Sequence, residues 1–403
     1  MAKEKKPSAE SGKVTMQDIA DGAIKTYGQG TITPANKILN HKCISTGIFS
    51  LDYALLGGIP EGQMALFSGW ESAGKTTFSL KALANFHKKY PESMAIFVDL
   101  ETSFDAEWAE AQGVDLDRLY VVSGESGEQV VDIVSAAYQA ENLGFIIIDS
   151  LAEMIGTREI NASAYDDHVA PRAKIVNKLI ADYVVQQSKR VRLGMHPLTV
   201  ILINQYRSKA GFFMGDPTTL PGGHWQRFKA NTVIHFQLKK EEIGKDTHDI
   251  DIVTSNEHSF KIKKSKVGNS IRGGEFEMIR IPTNGLSIGD IADQKTVLTY
   301  MKKTNMIRGG GQAWYIAGID QKFNKMEAMI DFMINHPETY DKYKAALIAL
   351  RRLELGLTVM PPDNFLICEH APDEEIIPTF DDIKDEPHIS DLEAQVLVEA
   401  ELL

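Results

Sequence analysis

The run Gly69-Trp70-Glu71-Ser72-Ala73-Gly74-Lys75-Thr76-Thr77 decides how this chain is read. Glycine, lysine and hydroxyl stand at the G-x-x-x-x-G-K-[ST] spacing that holds a nucleoside triphosphate. The apolar run 64–67 before it predicts a strand, and the stretch 77–89 after it predicts a helix. That is the context the motif requires. The backbone of Gly69, Glu71, Ser72, Ala73, Gly74 and Thr77 would curl around the phosphates. Lys75 would reach the β- and γ-phosphates, and Thr76 would place its hydroxyl on Mg²⁺.

Moving outward, other strand ends carry chemistry. Phe145-Ile146-Ile147-Ile148-Asp149 is an apolar strand ending in an acid, where a carboxylate joins the Mg²⁺ shell of such enzymes. Phe97-Val98-Asp99-Leu100-Glu101 is a second. From the pattern alone Glu101 is either a base that activates water or an exposed acid at a strand end. The run 198–203 ends in the amides Asn204 and Gln205, placed to sense a γ-phosphate and move the loop that follows. That loop, 206–223, is glycine-rich and holds Arg207, Lys209, Phe212, Phe213 and Met214. Aromatics among cations suit stacked bases of a single strand, though the two phenylalanines also suit the core of a short hairpin. Lys264 and Lys266 share one face of a strand, either as a solvated surface or as a pair reaching phosphates.

Composition sets bounds. The chain has 403 residues, 43% hydrophobic and 24% charged, enough for two or three soluble domains. No apolar run reaches membrane-spanning length. The isolated Cys43 and Cys368 suggest neither a disulfide framework nor a zinc site, and with no signal-peptide pattern a cytoplasmic location is expected. The net charge of -12 belongs to the last stretch. Residues 361–403 carry 13 Asp or Glu against Lys384 alone, so residues 1–360 sum to zero. Residues 1–41 read as a polar tail and a short amphipathic arm. Residues 42–288 alternate strands and helices, which predicts an α/β fold with a mostly parallel sheet. Residues 289–356 read as a small, mainly helical α/β lobe, and 357–403 as an acidic tail.

In this order the motifs resemble the RecA-type homologous recombinases. Ile44-Ser45-Thr46-Gly47, Leu51-Asp52 and Gly57-Gly58-Ile59-Pro60-Glu61-Gly62 resemble that family's lead-in to the phosphate loop. The resemblance covers about residues 15–356 and implies a RecA-like P-loop ATPase core, ATP and Mg²⁺. It implies that Glu101 is the catalytic glutamate, and that Asp105 and Trp108 stand at adenine. It makes Gln205 the γ-phosphate sensor, with Gly211, Gly222 and Gly223 in the second DNA-binding loop. Phe228 falls at the subunit interface, and Lys264 and Lys266 reach the neighbouring protomer's γ-phosphate. The first DNA-binding loop falls at 161–170, ending near Arg172 and Lys174. Partners implied are single-stranded and double-stranded DNA, further copies of the chain in a helical filament, and single-strand-binding and loader proteins.

The sequence departs from the family pattern at Ala162, Ala164, Pro171, His224 and Trp225, and Arg280 stands where an aromatic near adenine is usual. Such divergence is expected of a bacteriophage-encoded recombinase acting in a host cytoplasm. Two other readings share parts of the pattern: a ring-forming RecA-fold motor of helicase type, and an assembly protein without strand exchange. The acidic tail would compete with DNA for basic surface. Shortening the chain after Pro361 is therefore expected to strengthen duplex binding at low Mg²⁺, measured by filter retention. Unchanged binding would leave the tail a solubility element.

Overall fold

The computed structural model describes residues 14–34, 42–161, 171–208, 218–266, 268, 271–310 and 313–357. An eight-stranded sheet organises the chain. Across it run the strands Gly273–Ile279, Asp251–Ser265, Thr232–Lys245, Met64–Gly69, Thr199–Gln205, Leu143–Asp149, Met94–Asp99 and Leu119–Val122. The six strands from Thr232–Lys245 to Leu119–Val122 are parallel, and the other two add an antiparallel edge. The expected α/β fold with a mostly parallel sheet is what the chain forms.

The apolar runs are continuous because both sheet faces are covered. Ala65, Phe67, Phe97, Phe145, Ile147, Ile201 and Ile203 pack with Phe78, Leu83 and Phe86 of the helix Lys75–Lys89. The intervening residues Leu66, Ile96, Ile146, Ile148, Val200 and Leu202 pack on the other face. Their partners are Val130 and Val134 of helix Gly127–Ala137 and Val176, Leu179 and Ile180 of helix Pro171–Arg192. This alternation is the period-two geometry of a strand.

Arg190 shows how the long helix is fastened. It is 1% exposed and donates to the carbonyls of Tyr138, Ala140, Glu141, Leu143 and His196. Burial pulls its pKa down, yet the ring of carbonyls takes up the guanidinium's donors. Arg190→Met leaves those carbonyls without a donor. We expect it to cost roughly 3–5 kcal/mol in urea unfolding; a loss below about 1 kcal/mol would mean that water replaces the arginine.

The strands Thr232–Lys245 and Asp251–Ser265 run on as a hairpin beyond the sheet. Following the sheet are the helices Gln294–Lys303, Met326–Asn335 and Pro337–Glu354 and a three-stranded sheet. Their apolar cluster includes Val297, Leu298, Phe323, Met333, Tyr343 and Leu347, and it takes in Phe49 and Tyr53 from the helix Phe49–Ala54. Buried Asp293 accepts from the Phe49 N–H at 3.0 Å and from the Tyr340 hydroxyl, and Arg352 donates to the Leu56 carbonyl at 2.9 Å. At the N-terminal end, helix Met16–Tyr27 starts at a capping box between Thr15 and Asp18 and has no buried residue. No helix among the described residues is long and apolar enough to cross a membrane.

Candidate nucleotide site and nucleic-acid interface

Strand order brings the chemistry together. Met64–Gly69, Thr199–Gln205, Leu143–Asp149 and Met94–Asp99 are neighbours, in that order. Their register sets Gly69 beside Gln205 and Asp99 beside Asp149. Parallel strands end at one edge, so Gly69, Gln205 and Asp149 meet there, with Glu101 two residues past its own strand end. Ligands of open α/β sheets bind outside such carboxyl ends.

The phosphate loop spans the turn from Gly69 to the helix Lys75–Lys89. Gly74 is left-handed at φ 82°, and a Cβ there would lie 2.5 Å from the Phe78 ring. A Cβ on Gly69 would lie 2.5 Å from the Phe236 carbonyl oxygen. Both positions therefore need glycine. No side chain caps this helix, which leaves its first N–H groups facing the loop as an anion cradle. Lys75 is buried, and its ammonium donates to the Trp70 carbonyl at 2.7 Å. Burial pulls its pKa below the ordinary lysine value, while Asp149, Glu101 and Glu71 act to hold the charge.

The Thr76 hydroxyl donates to Asp149 at 2.5 Å. Hydroxyl and carboxylate are hard oxygen ligands, the kind Mg²⁺ takes in ones and twos beside phosphate oxygens. Among the described residues there is no group of three or more His, Cys, Asp or Glu that could hold a metal unaided. The donor set thus fits Mg²⁺ brought with a nucleotide. Burial pushes the Asp149 pKa up to about 7; the Thr76 bond opposes this and Glu101 adds to it. The sign follows from linkage. Asp149 takes up a proton in the folded protein that the unfolded chain has lost above its ordinary value of 3.8. The contribution of Asp149 to ligand-free stability therefore falls as pH rises from about 4 to about 7, and is flat above. Asp149→Asn removes that cost. Without ligand it is expected to be more stable than the parent at pH 8, by about 2–4 kcal/mol, and no different near pH 4. Urea melts at the two pH values check this; an equal difference at both would refute it.

Gln205 donates to Glu101 at 2.7 Å, joining two of the side chains gathered at this edge of the sheet. Leu100 N–H bonds the Asp149 carbonyl at 2.7 Å, and Asp99 accepts from Ser103 and Phe104 N–H, so the turn bearing Glu101 is held at both ends. Asp105 caps the helix Ala106–Ala111 by accepting from Trp108 N–H. The Trp108 indole donates to Thr77 at 3.2 Å, and the Arg280 guanidinium lies 5.6 Å over its ring. The two residues expected at adenine are thus fixed to the phosphate-loop helix, and Arg280 lies on the indole, as a stacked guanidinium would.

The nucleic-acid candidates are more scattered. Arg172 pairs with Glu159 at 2.6 Å and donates to the Ala152 carbonyl, so its guanidinium is engaged within the chain. Lys174 is exposed two residues on, in a shallow depression with Asn177, Lys178 and Trp225. Arg207 is half-exposed and pairs with Glu153 at 2.9 Å. Lys209, Gly211, Phe212, Phe213 and Met214 lie outside the described residues, as does the first loop from 162 to 170. The stem of the second loop is described: Arg207–Ser208 pairs antiparallel with Thr218–Thr219. Gly222 and Gly223, both at positive φ, turn the chain into the helix Trp225–Lys229. Phe228 on that helix is 72% exposed. Lys264 donates to the carbonyls of Arg227 and Phe228 at 2.8 and 2.7 Å and so caps the same helix, while Lys266 is exposed nearby.

One group escaped the sequence reading. Fully buried Gln226 donates to the Pro221 and Gly223 carbonyls and accepts from Asn204, which also donates to the Pro221 carbonyl and accepts from Gln205 N–H. This web ties the return of the second loop to the strand tip that carries Gln205. The only hint was the double amide at 204–205. Gln226 sits in a five-residue helix too short to show periodicity.

The chain is similar to known proteins over most of its length. The family model of the RecA N-terminal domain matches residues 14–286. Protein RecA of Rhodopirellula baltica is 32% identical over 349 residues, 84% of this chain and 84% of the relative. That of Clostridium acetobutylicum is 33% identical over 300 residues, 73% of this chain and 79% of the relative. Protein RecA of Tropheryma whipplei is 29% identical over 354 residues, 87% of this chain and 76% of the relative. Among solved structures, a KaiC-like protein of Pyrococcus horikoshii superposes on 59% of this chain and 96% of its own, at a TM-score of 0.42 and 19% identity.

Proposed function

The chain belongs to the RecA family, and from that premise we propose that it is an ATP-dependent recombinase. It polymerises on single-stranded DNA, pairs it with homologous duplex and exchanges strands, hydrolysing ATP as it does so. The observation that carries the proposal is the 2.7 Å bond between Gln205 and Glu101. It joins the water-activating candidate to the first residue before the second loop, so one event at the phosphate site reaches both hydrolysis and DNA affinity.

The residues divide the work. Lys75 and the N–H groups of the loop bind and orient the phosphates. Thr76 and Asp149 would hold Mg²⁺, which would supply positive charge to the phosphates. Glu101 takes the proton of the attacking water. Gln205 changes partner between Glu101 and the γ-phosphate, and its strand tip moves the loop stem with it. Asp105, Trp108 and Arg280 hold the base. Phe228 meets a neighbouring copy, and Lys264 and Lys266 reach its nucleotide. Lys174, Arg207 and the second loop carry the DNA backbone, so affinity falls steeply with salt.

ATP hydrolysis measured with and without single-stranded DNA, with strand exchange followed in the same samples, tests the proposal. DNA-stimulated hydrolysis with exchange is expected. Stimulation without exchange would replace the recombinase by a RecA-fold motor or an assembly protein.

A further inference from the structure

Trp70 stands inside the phosphate loop, a segment that needs only its backbone to hold phosphates, yet it carries the largest side chain available. Its indole is 45% exposed, so core packing does not account for it. It lies against the ring of Tyr206, with centroids 6.1 Å apart and planes at 42°. Tyr206 is the residue directly after Gln205, and its ring meets His235 edge-on at 5.1 Å. Its N–H also donates to the Gly69 carbonyl at 3.3 Å. Phosphate loop and loop stem are thus joined twice at one point, by backbone and by rings. From Tyr206 the chain passes straight into the stem, where Arg207 pairs with Thr219. At the other end, the Trp70 carbonyl accepts the Lys75 ammonium at 2.7 Å.

We propose that Trp70 and Tyr206 are positioning residues that couple the phosphate site to the stem of the second loop, by a route separate from the Gln205 side chain. The Lys75 ammonium has three N–H donors, so it can hold the Trp70 carbonyl and β- and γ-phosphate oxygens together. As it shifts toward phosphate, it draws the Trp70 peptide with it and turns it. The indole, held against Tyr206, transmits that rotation to the stem. Two packed rings resist sliding because their attraction depends on offset and angle. The inference rests on the recombinase reading, since it needs a chain that binds both nucleotide and single-stranded DNA.

The test is the anisotropy of a labelled oligo-dT titrated with full-length protein, with and without Mg²⁺ and a slowly hydrolysed ATP analogue. The quantity read is the ratio of the two DNA affinities. In Trp70→Ala and in Tyr206→Leu that ratio is expected to shrink about three- to tenfold, the scale of an aromatic pair. The double variant should shrink it no further, because one contact is lost in all three. Trp70→Phe and Tyr206→Phe should keep most of it. In Tyr206→Leu, affinity of the DNA-free protein for a fluorescent nucleotide should stay within about twofold of the parent, while the DNA-bound protein loses nucleotide affinity by the same factor as the ratio; a merely structural ring would not separate these readouts. An undiminished ratio in both truncations overturns the inference and leaves the recombinase reading standing. So does a ratio that falls together with the nucleotide affinity of the DNA-free protein and is not rescued by phenylalanine, since that marks a damaged phosphate loop. A parent with no nucleotide-dependent gain overturns both.

Discussion

Lys75→Ala is expected to abolish nucleotide binding and, with it, every nucleotide-dependent activity of the assembled protein. Lys75 is the first residue of its helix, buried, and set among Asp149, Glu101 and Glu71. Alanine removes this cation and leaves the acidic side chains of Asp149, Glu101 and Glu71 around any incoming phosphate. Loss of a charged donor to phosphate, with that repulsion unmasked, should cost at least about 3 kcal/mol, more than about a hundredfold in affinity. Titration with a fluorescent ATP analogue measures it directly. The ammonium bonds only a loop carbonyl, so the fold should survive and the melting curve stay near the parent's. ATP turnover persisting in this variant would refute the assignment of the loop.

Glu101→Gln separates binding from chemistry. Glutamine is nearly the same shape and can still accept the Gln205 amide, so the 2.7 Å link to the strand tip can persist. What it cannot do is take a proton from water. Hydrolysis is expected to fall by about 10²–10⁴, the usual contribution of a positioned base. ATP affinity should hold, and the complex with single-stranded DNA should become long-lived because the γ-phosphate stays in place. Stopped-flow release of a labelled oligonucleotide after a DNA chase checks it. Fast release in the presence of ATP would remove Glu101 from that role.

Much of the site was legible because its residues sit at the ends of apolar runs. A buried strand must be apolar along its length and turns polar where it leaves the sheet, so Asp149, Glu101 and Gln205 announce themselves. Glycines 69 and 74 were legible for a related reason, since the tight loop excludes a Cβ at both. Other features left no trace. Nothing local says that Arg172 spends its charge on Glu159, thirteen residues back in the chain. The outer hairpin was hard to see because 239–245 is largely polar and exposed; its strands are held by a cross-strand ladder. Trp70 and Tyr206 were legible only as two aromatics beside motifs, because their meeting depends on the pairing of Gly69 with Gln205.

The way Phe49 and Tyr53 enter the apolar cluster of residues 297–350 bears on dissection of the molecule. Those two rings belong to the segment that leads into the phosphate loop, yet their neighbours are the helices at the far end of the sequence. Cutting the chain ahead of Gln294 would open a hydrophobic wound on both fragments and strip Asp293 of one partner or the other. The two parts are therefore expected to melt as one cooperative unit. Calorimetry of residues 14–357 should give one transition, and a bacterial cell making either fragment by itself should hand it to its proteases.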